Sequence, residues 1–211
     1  FIGRNRNMSK KSIQRTAIRI SFLGDAGCGK TSIINRFIED KFTDVHLTTI
    51  GLEKNEKKMK MKDGTQMKVI LWDTAGQERF KTMTKTPIKA SQGIVIVFDL
   101  TKKVTFENLD NWVKTIKENN NNAPIALFGN KSDMIEEIEI NNEDAEKYAK
   151  EKDMFYFETS AKENVNVKEG LDKIIEESYE KAEGEIGTQL KKGKNNKKKR
   201  QMLKQEEIKK K

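Results

Sequence analysis

A chain of 211 residues is long enough for one domain with a sizeable core and room for extensions. With 35% hydrophobic and 36% charged residues and a mean hydropathy of -0.81, it is unusually polar, and no apolar stretch approaches the length that crosses a bilayer. The net charge of +9 is concentrated at one end: residues 191–211 carry eleven Lys and Arg against Glu206 and Glu207, so residues 1–190 balance. A single cysteine excludes an internal disulfide framework and fits a reducing, intracellular compartment.

Residues 1–16 read as a polar arm; the chain opens Phe1-Ile2-Gly3-Arg4, and Met8 is its first candidate start. The apolar run Ala17–Leu23 predicts a strand, and Ser32–Glu39 a helix. Between them stands Gly24-Asp25-Ala26-Gly27-Cys28-Gly29-Lys30-Thr31. A G-x-x-x-x-G-K-[ST] loop between strand and helix surrounds phosphates with backbone N–H groups, which runs from Asp25 to Ser32 here. Lys30 can reach the outer phosphates and the Thr31 hydroxyl can ligate magnesium. Cys28, between two glycines, reads as a small side chain packed beneath the phosphates rather than a redox sensor.

Leu52–Met61 is rich in Lys and Glu, and Asp63-Gly64 is a turn signal before the apolar run Met67–Trp72. The pair predicts an antiparallel hairpin whose charged outer member is an edge strand. Asp73-Thr74-Ala75-Gly76-Gln77 follows directly. Asp73 there can hold magnesium through water, the Gly76 N–H can meet a γ-phosphate, and Gln77 can orient an attacking water.

Gly93–Phe98 and Ala123–Phe128 read as strands apolar on both faces, as in a sheet covered by helices on both sides. Helices are predicted over Phe106–Glu118, with Trp112 on the packed face, and over Asn142–Glu151 and Val167–Ala182; Asn119–Asn122 reads as a low-complexity loop. Asn130-Lys131-Ser132-Asp133 follows the Ala123–Phe128 strand, and Thr159-Ser160-Ala161-Lys162 follows a short last strand at Asp153–Phe157. The Asp133 carboxylate can accept from the N1–H and 2-amino group of guanine, donors that adenine lacks. The Ala161 N–H can meet guanine O6. The phosphate loop alone leaves ATPase, kinase and GTPase open; these later segments favour guanine.

Taken together, the segments resemble the Ras superfamily of small GTPases over about residues 16–183, and Trp72–Phe80 is most similar to the Rab branch. The resemblance implies an α/β domain over residues 17–184 with the P-loop GTPase fold: a six-stranded, mostly parallel sheet with helices on both faces. It implies GTP/GDP and Mg2+ as ligands, Thr49 as a second magnesium ligand, and Phe42 packed on the guanine ring. The nucleotide-binding set then spans Asp25–Ser32, Phe42, Thr49, Gly76, Asn130, Lys131, Asp133, Ser160, Ala161 and Lys162. Lys30, Gly76 and Gln77 take the catalytic roles, and Thr31, Thr49 and Asp73 hold the metal. Residues 42–51 and 76–89 would form two switch segments.

The implied activity is slow GTP hydrolysis by a monomer in vesicle or membrane traffic, with an exchange factor, a GTPase-activating protein and effectors as partners. The alternative is a guanine-nucleotide-dependent scaffold with negligible hydrolysis. The chain departs from the family at Lys54 and Pro87-Ile88, where aromatic residues are usual, and Pro87 is expected to break or bend the second-switch helix. His46 is expected in solvent, and the methionines at 59, 61, 67 and 83 as filler. The basic segment 185–211, expected to be disordered, ends without the family's prenylated cysteine. It can attach reversibly to anionic, cytoplasm-facing membrane. Nucleic-acid binding lacks any aromatic interleaving to support it.

Overall fold

The computed structural model describes residues 17–44, 49, 51–75 and 81–185. Ala17–Lys181 forms one compact unit, and the remaining described residues, 182–185, are helical. Expectations for the arm, for His46, Gly76, Gln77 and the Met83 side chain, and for the segment from 186 onward lie outside the described residues.

The elements in order are β1 (Ala17–Leu23), α1 (Lys30–Glu39), β2 (Leu52–Lys60), β3 (Gln66–Thr74), α2 (Lys81–Ala90), β4 (Gly93–Asp99), α3 (Lys103–Glu107), α4 (Leu109–Asn119), β5 (Ile125–Asn130), α5 (Asn142–Glu151), β6 (Phe155–Thr159) and α6 over residues 167–185. The strands form one sheet in the order β2-β3-β1-β4-β5-β6. Every neighbouring pair is parallel except β2 with β3. This arrangement carries the carboxyl ends of β1, β3, β4, β5 and β6 to one edge, where the loops bearing the sequence motifs emerge.

Helices flank both faces because β4 and β5 are apolar on both sides. On one face Ile88, Leu109, Trp112, Val113, Ile116, Ala145 and Ala149 pack with Leu23, Ile94, Ile96, Phe98 and Leu127. Elsewhere Ile33, Ile34 and Phe37 of α1 and Leu171, Ile174 and Ile175 of α6 are buried. Each such side chain contributes on the order of 1.5–3 kcal/mol through removal from water. The hairpin forms as expected, with β2 at the sheet edge and Lys54 directly opposite Trp72. Lys54 and Lys68 both pair with Glu56, holding its carboxyl down at about 2.

Several expectations shift. The helix over Phe106–Glu118 is two helices, α3 and α4, divided at Asn108. The fifth strand begins at Ile125 rather than Ala123: Pro124 has no N–H for the ladder, although its carbonyl accepts from Ile94 N at 3.0 Å. The last strand begins at Phe155 because Asp153 takes a left-handed turn with φ 58°. Pro87 does not break its helix, since α2 continues through it to Ala90. The asparagine run is not merely compositional. Asn120 Nδ2 donates to the carbonyls of Ile88 (2.8 Å) and Ser91 (2.9 Å), and its Oδ1 accepts from Ala123 N (3.2 Å), which ties the end of α2 and the turn before β5 to the end of α4.

Candidate functional site

The phosphate end of the site grows from β1. Gly24 leaves the strand at φ 133°, and a Cβ there would lie 2.0 Å from the Val97 carbonyl oxygen. Gly29 opens α1 at φ 94°, where a Cβ would lie 2.2 Å from Asn130 Nδ2. Both positions therefore demand glycine, for conformation and for space. Lys30 is 6% exposed, and its Nζ donates to the carbonyls of Gly24 and Asp25, both at 2.8 Å. Burial pulls this ammonium below its usual range, opposed by Cys28, Asp73 and Asp25. A cation satisfied only by carbonyls in a desolvated loop is complementary to an anion bound in front of it.

Beside it, three oxygens converge. Thr31 Oγ1 donates to Asp73 Oδ2 at 2.6 Å, lies 2.8 Å from Thr49 Oγ1, and Thr49 Oγ1 donates to Asp73 Oδ2 at 3.3 Å. Asp73 is fully buried, and its Oδ1 has no hydrogen-bond partner among the described residues. Burial pushes its carboxyl up from the ordinary range, against the Thr31 hydrogen bond and the Lys30 charge. Among the described residues no cluster of three or more His, Cys, Asp or Glu side chains forms a metal site. A hydroxyl–hydroxyl–carboxylate set suits a hard, oxygen-seeking ion such as magnesium, and the orphaned Asp73 oxygen supplies the anionic charge it needs.

The base end grows from β5 and β6. Asn130 is buried; its Nδ2 donates to the Cys28 carbonyl at 2.8 Å and its Oδ1 accepts from Ala161 N at 3.2 Å. This one side chain joins the phosphate loop to the loop after β6. Asp133 Oδ1 accepts from Ser160 Oγ at 2.6 Å, and Ser160 Oγ accepts from Glu163 N at 2.9 Å, which orients the carboxylate. Lys131 sits at φ 72° and pairs with the buried Asp99 carboxylate. Asp99 Oδ1 also accepts from Thr101 N (3.0 Å) and Thr101 Oγ1 (2.7 Å).

Each sequence-designated residue from Asp25 to Ser32, with Thr49, Asp73, Asn130, Lys131, Asp133, Ser160, Ala161 and Lys162, lies in these loops or at the ends of the elements that flank them: Lys30–Ser32 open α1, and Asp73 and Asn130 stand at the carboxyl ends of β3 and β5. Phe42 is half-buried after α1. Cys28 is fully buried, which pushes its thiol up to about 11. Its thiolate is disfavoured, so packing explains it and redox sensing does not.

Sequence reasoning missed four residues that frame the site. Asn108 Nδ2 and Trp112 Nε1 donate to the two carboxylate oxygens of Asp25, at 2.7 and 2.8 Å. Asp99 fixes Lys131, and Arg36 reaches the loop after β6. Asp99 carried a faint signal as an acid at a strand's carboxyl end; the others have partners more than eighty positions away along the chain, and no local pattern marks them.

A phosphate loop after the first strand, with base-side loops after the fifth and sixth, defines a P-loop nucleotide-binding domain. The Ras family model matches residues 19–180, and the chain belongs to that family. It is similar to Ras-related protein Rab-13 of Rattus norvegicus, with 40% identity over 167 residues, 79% of this chain and 82% of the relative. Ras-related protein SEC4 of Saccharomyces cerevisiae is also 40% identical over 167 residues, 77% of each chain. GTP-binding protein yptV2 of Volvox carteri is 37% identical over 174 residues, 82% of this chain and 80% of the relative. These relatives place the chain with the Rab branch, and its family makes it a GTP-binding switch.

Proposed function

We propose that this chain binds GTP with magnesium and hydrolyses it slowly to GDP and phosphate, changing its binding partners as it does so. The supporting observation is the Asn130 side chain, which joins the phosphate loop at Cys28 to the base loop at Ala161, so that phosphate and guanine chemistry belong to one site.

Magnesium would be held by the hydroxyls of Thr31 and Thr49 with Asp73 reaching it through water, and when bound it neutralises charge on the β- and γ-phosphate oxygens. Lys30 stabilises charge building on the same oxygens, strengthened by its burial. The Gly76 N–H would meet the γ-phosphate and Gln77 would hold the attacking water; no strong general base is required. Asp133 would accept from the guanine N1–H and 2-amino group, the Ala161 N–H, engaged by Asn130 Oδ1 at 3.2 Å, would be shared with O6, and Phe42 and the Lys131 stem would pack on the ring. The backbone from Asp25 to Ser32 would enclose the phosphates, with Ser160 and Lys162 flanking the base. As a Rab-type chain it acts in vesicle or membrane traffic in the cytoplasm, as a monomer. An exchange factor, a GTPase-activating protein and effectors are its partners, and its basic tail touches anionic membrane reversibly.

The test is single-turnover hydrolysis of labelled GTP with and without magnesium, against ATP as competitor, in the wild type and in Gln77→Leu. A magnesium-dependent rate above the protein-free control that collapses in Gln77→Leu supports the reading. Undiminished hydrolysis in Gln77→Leu overturns the water-positioning role. No rate above control, with GTP still bound, leaves a guanine-nucleotide-dependent scaffold in its place.

A further inference from the structure

Arg36 belongs to neither the phosphate loop nor the base motifs, yet among the described residues its guanidinium makes four hydrogen bonds, two of them to the loop after β6. It stands in the last turn of α1, whose first turn carries Lys30 and Thr31. Its side chain is only 14% exposed. Nε donates to the Ala161 carbonyl at 2.9 Å and Nη2 to the Lys162 carbonyl at 2.8 Å. Nη1 turns the other way and donates to the Asp40 carbonyl at 2.9 Å and to Asp40 Oδ1 at 3.2 Å.

Asp40 is the left-handed cap of α1, at φ 54°, and the chain that leads to Phe42 and Thr49 departs from it. Asn164, also left-handed at φ 57°, donates back to Asp40 Oδ1 at 3.1 Å. The loop from Ala161 to Asn164 and the end of α1 are thus clasped from both sides. A planar guanidinium can serve four acceptor atoms on three residues in fixed directions, whereas an ammonium on a flexible stem cannot reproduce that fork. Ala161 is the neighbour of Ser160, whose hydroxyl orients Asp133. Slack in the Ala161 peptide therefore reaches the carboxylate.

We propose that Arg36 is a positioning residue for base recognition: its guanidinium locks the loop Ala161–Asn164 to the end of α1, so that the Asp133 carboxylate and the lead-in to the first switch are held as one unit. The proposal deepens the guanine reading and rests on it. One consequence is mechanical. Displacing the first switch from Asp40 would loosen the base loop, and gripping the base would steady the switch.

The experiment compares GDP with IDP, which lacks the 2-amino group that Asp133 would accept from. The release rate of each is measured by displacement from full-length protein, with melting temperature as the folding check. Arg36→Lys is expected to release GDP about tenfold faster and to lose about tenfold of the GDP-over-IDP preference, as the loss of charge-assisted hydrogen bonds predicts. The acceleration produced by chelating magnesium should stay at its wild-type factor, because the metal side is untouched. Asn164→Ala, at an exposed site, removes the return bond to Asp40 and puts alanine at a left-handed φ of 57°, a strain that bears on both nucleotides alike, and should lower the preference about two- to threefold. It decides the matter by the same ratio if Arg36→Lys does not melt cooperatively. A purely structural role would weaken both nucleotides equally, so an unchanged ratio in Arg36→Lys, or in Asn164→Ala where that variant decides, overturns the proposal. A wild-type ratio near one overturns the guanine reading and this proposal with it.

Discussion

Trp112→Phe tests whether the phosphate loop is held from outside by α4. Trp112 is 4% exposed, and its indole N–H donates to Asp25 Oδ1 at 2.8 Å while Asn108 Nδ2 occupies Oδ2 at 2.7 Å. Phenylalanine keeps most of the apolar contact with Ile116, Val113 and their neighbours but supplies no donor. A hydrogen bond to a carboxylate contributes about 1.5–3 kcal/mol. Asp25 is only half-buried, so water can take the vacated position and the lower end applies. The smaller ring removes further apolar contact worth about 1 kcal/mol. The sum is about 2–3 kcal/mol of lost stability. The share that reaches the nucleotide is the part that held the Asp25 peptide and, through its carbonyl, Lys30 Nζ.

If half of it does, GDP release quickens about tenfold, since about 1.4 kcal/mol is one decade. The assay is displacement of fluorescent GDP from Trp112→Phe, Asn108→Ala and the double variant, each with a melting curve. Because both donors act on one carboxylate, the double variant should fall short of or exceed the sum of the singles by at least about 0.5 kcal/mol. Release within twofold of wild type in Trp112→Phe, alongside a lowered melting temperature, would refute the latch and leave Trp112 a packing residue alone.

Cys28 should resist alkylation in the folded protein: with its thiol pushed up to about 11, labelling by iodoacetamide at pH 8 should be roughly a hundredfold slower than in the unfolded chain, rising with pH. The stability that burial of the neutral thiol supplies is complete below its ordinary value of 9.0 and fades as pH climbs towards 11; rapid labelling at pH 7.5 would contradict this. Asn120→Ala removes three hydrogen bonds that stitch two segments and should cost about 1–3 kcal/mol, whereas the exposed Asn121→Ala should change stability by less than about 0.5 kcal/mol; equal melting temperatures for the two would refute the distinction. Asp110, held below the usual carboxylate range by Lys152 and then Tyr148, ties α4 to α5, but its side chain is 69% exposed. Asp110→Ala should therefore cost less than about 0.5 kcal/mol at pH 7. That contribution is present above the unfolded carboxyl range and lost on acidification, so a loss that persists at pH 2 would show another cause.

What could be read in the sequence was what is local. Ile94–Phe98 announces a buried strand because both faces are apolar, and Gly24–Thr31 announces a phosphate loop because its turn and its chemistry share eight residues. The strands at Ala123 and Asp153 were misplaced by two residues for equally local reasons, a proline and a left-handed turn whose effects on the ladder appear only beside the neighbouring strand. The split between α3 and α4 has a different origin. Asn108 leaves the helical pattern where its side chain meets Asp25, a partner 83 positions away. Arg36 and Asp99 escaped in the same way. A lysine in a nucleotide motif is visible in the sequence, but the carboxylate that orients it is visible only in the fold.

Removing the ligands should reveal how far the site depends on them. Lys30 is a desolvated cation satisfied by carbonyls, and Asp73 a desolvated carboxylate with one oxygen unpartnered among the described residues. Two buried charges of opposite sign in one site, each partly satisfied, cost free energy that a phosphate and a divalent ion together would relieve. Magnesium-bound GDP at about a thousandfold above its dissociation constant would add about 4 kcal/mol to stability by mass action. For a domain of this size that is about 8–16 °C in melting temperature. Chelation alone should remove part of this by exposing Asp73 to the phosphate charge without the intervening ion, and stripping the nucleotide should remove the rest. Scanning calorimetry of the magnesium–GDP form, the chelated form and the nucleotide-free form would show the order. A nucleotide-free protein that melts with the loaded one would mean that Lys30 and Asp73 are satisfied within the fold, and the complementarity argument for both ligands would fall.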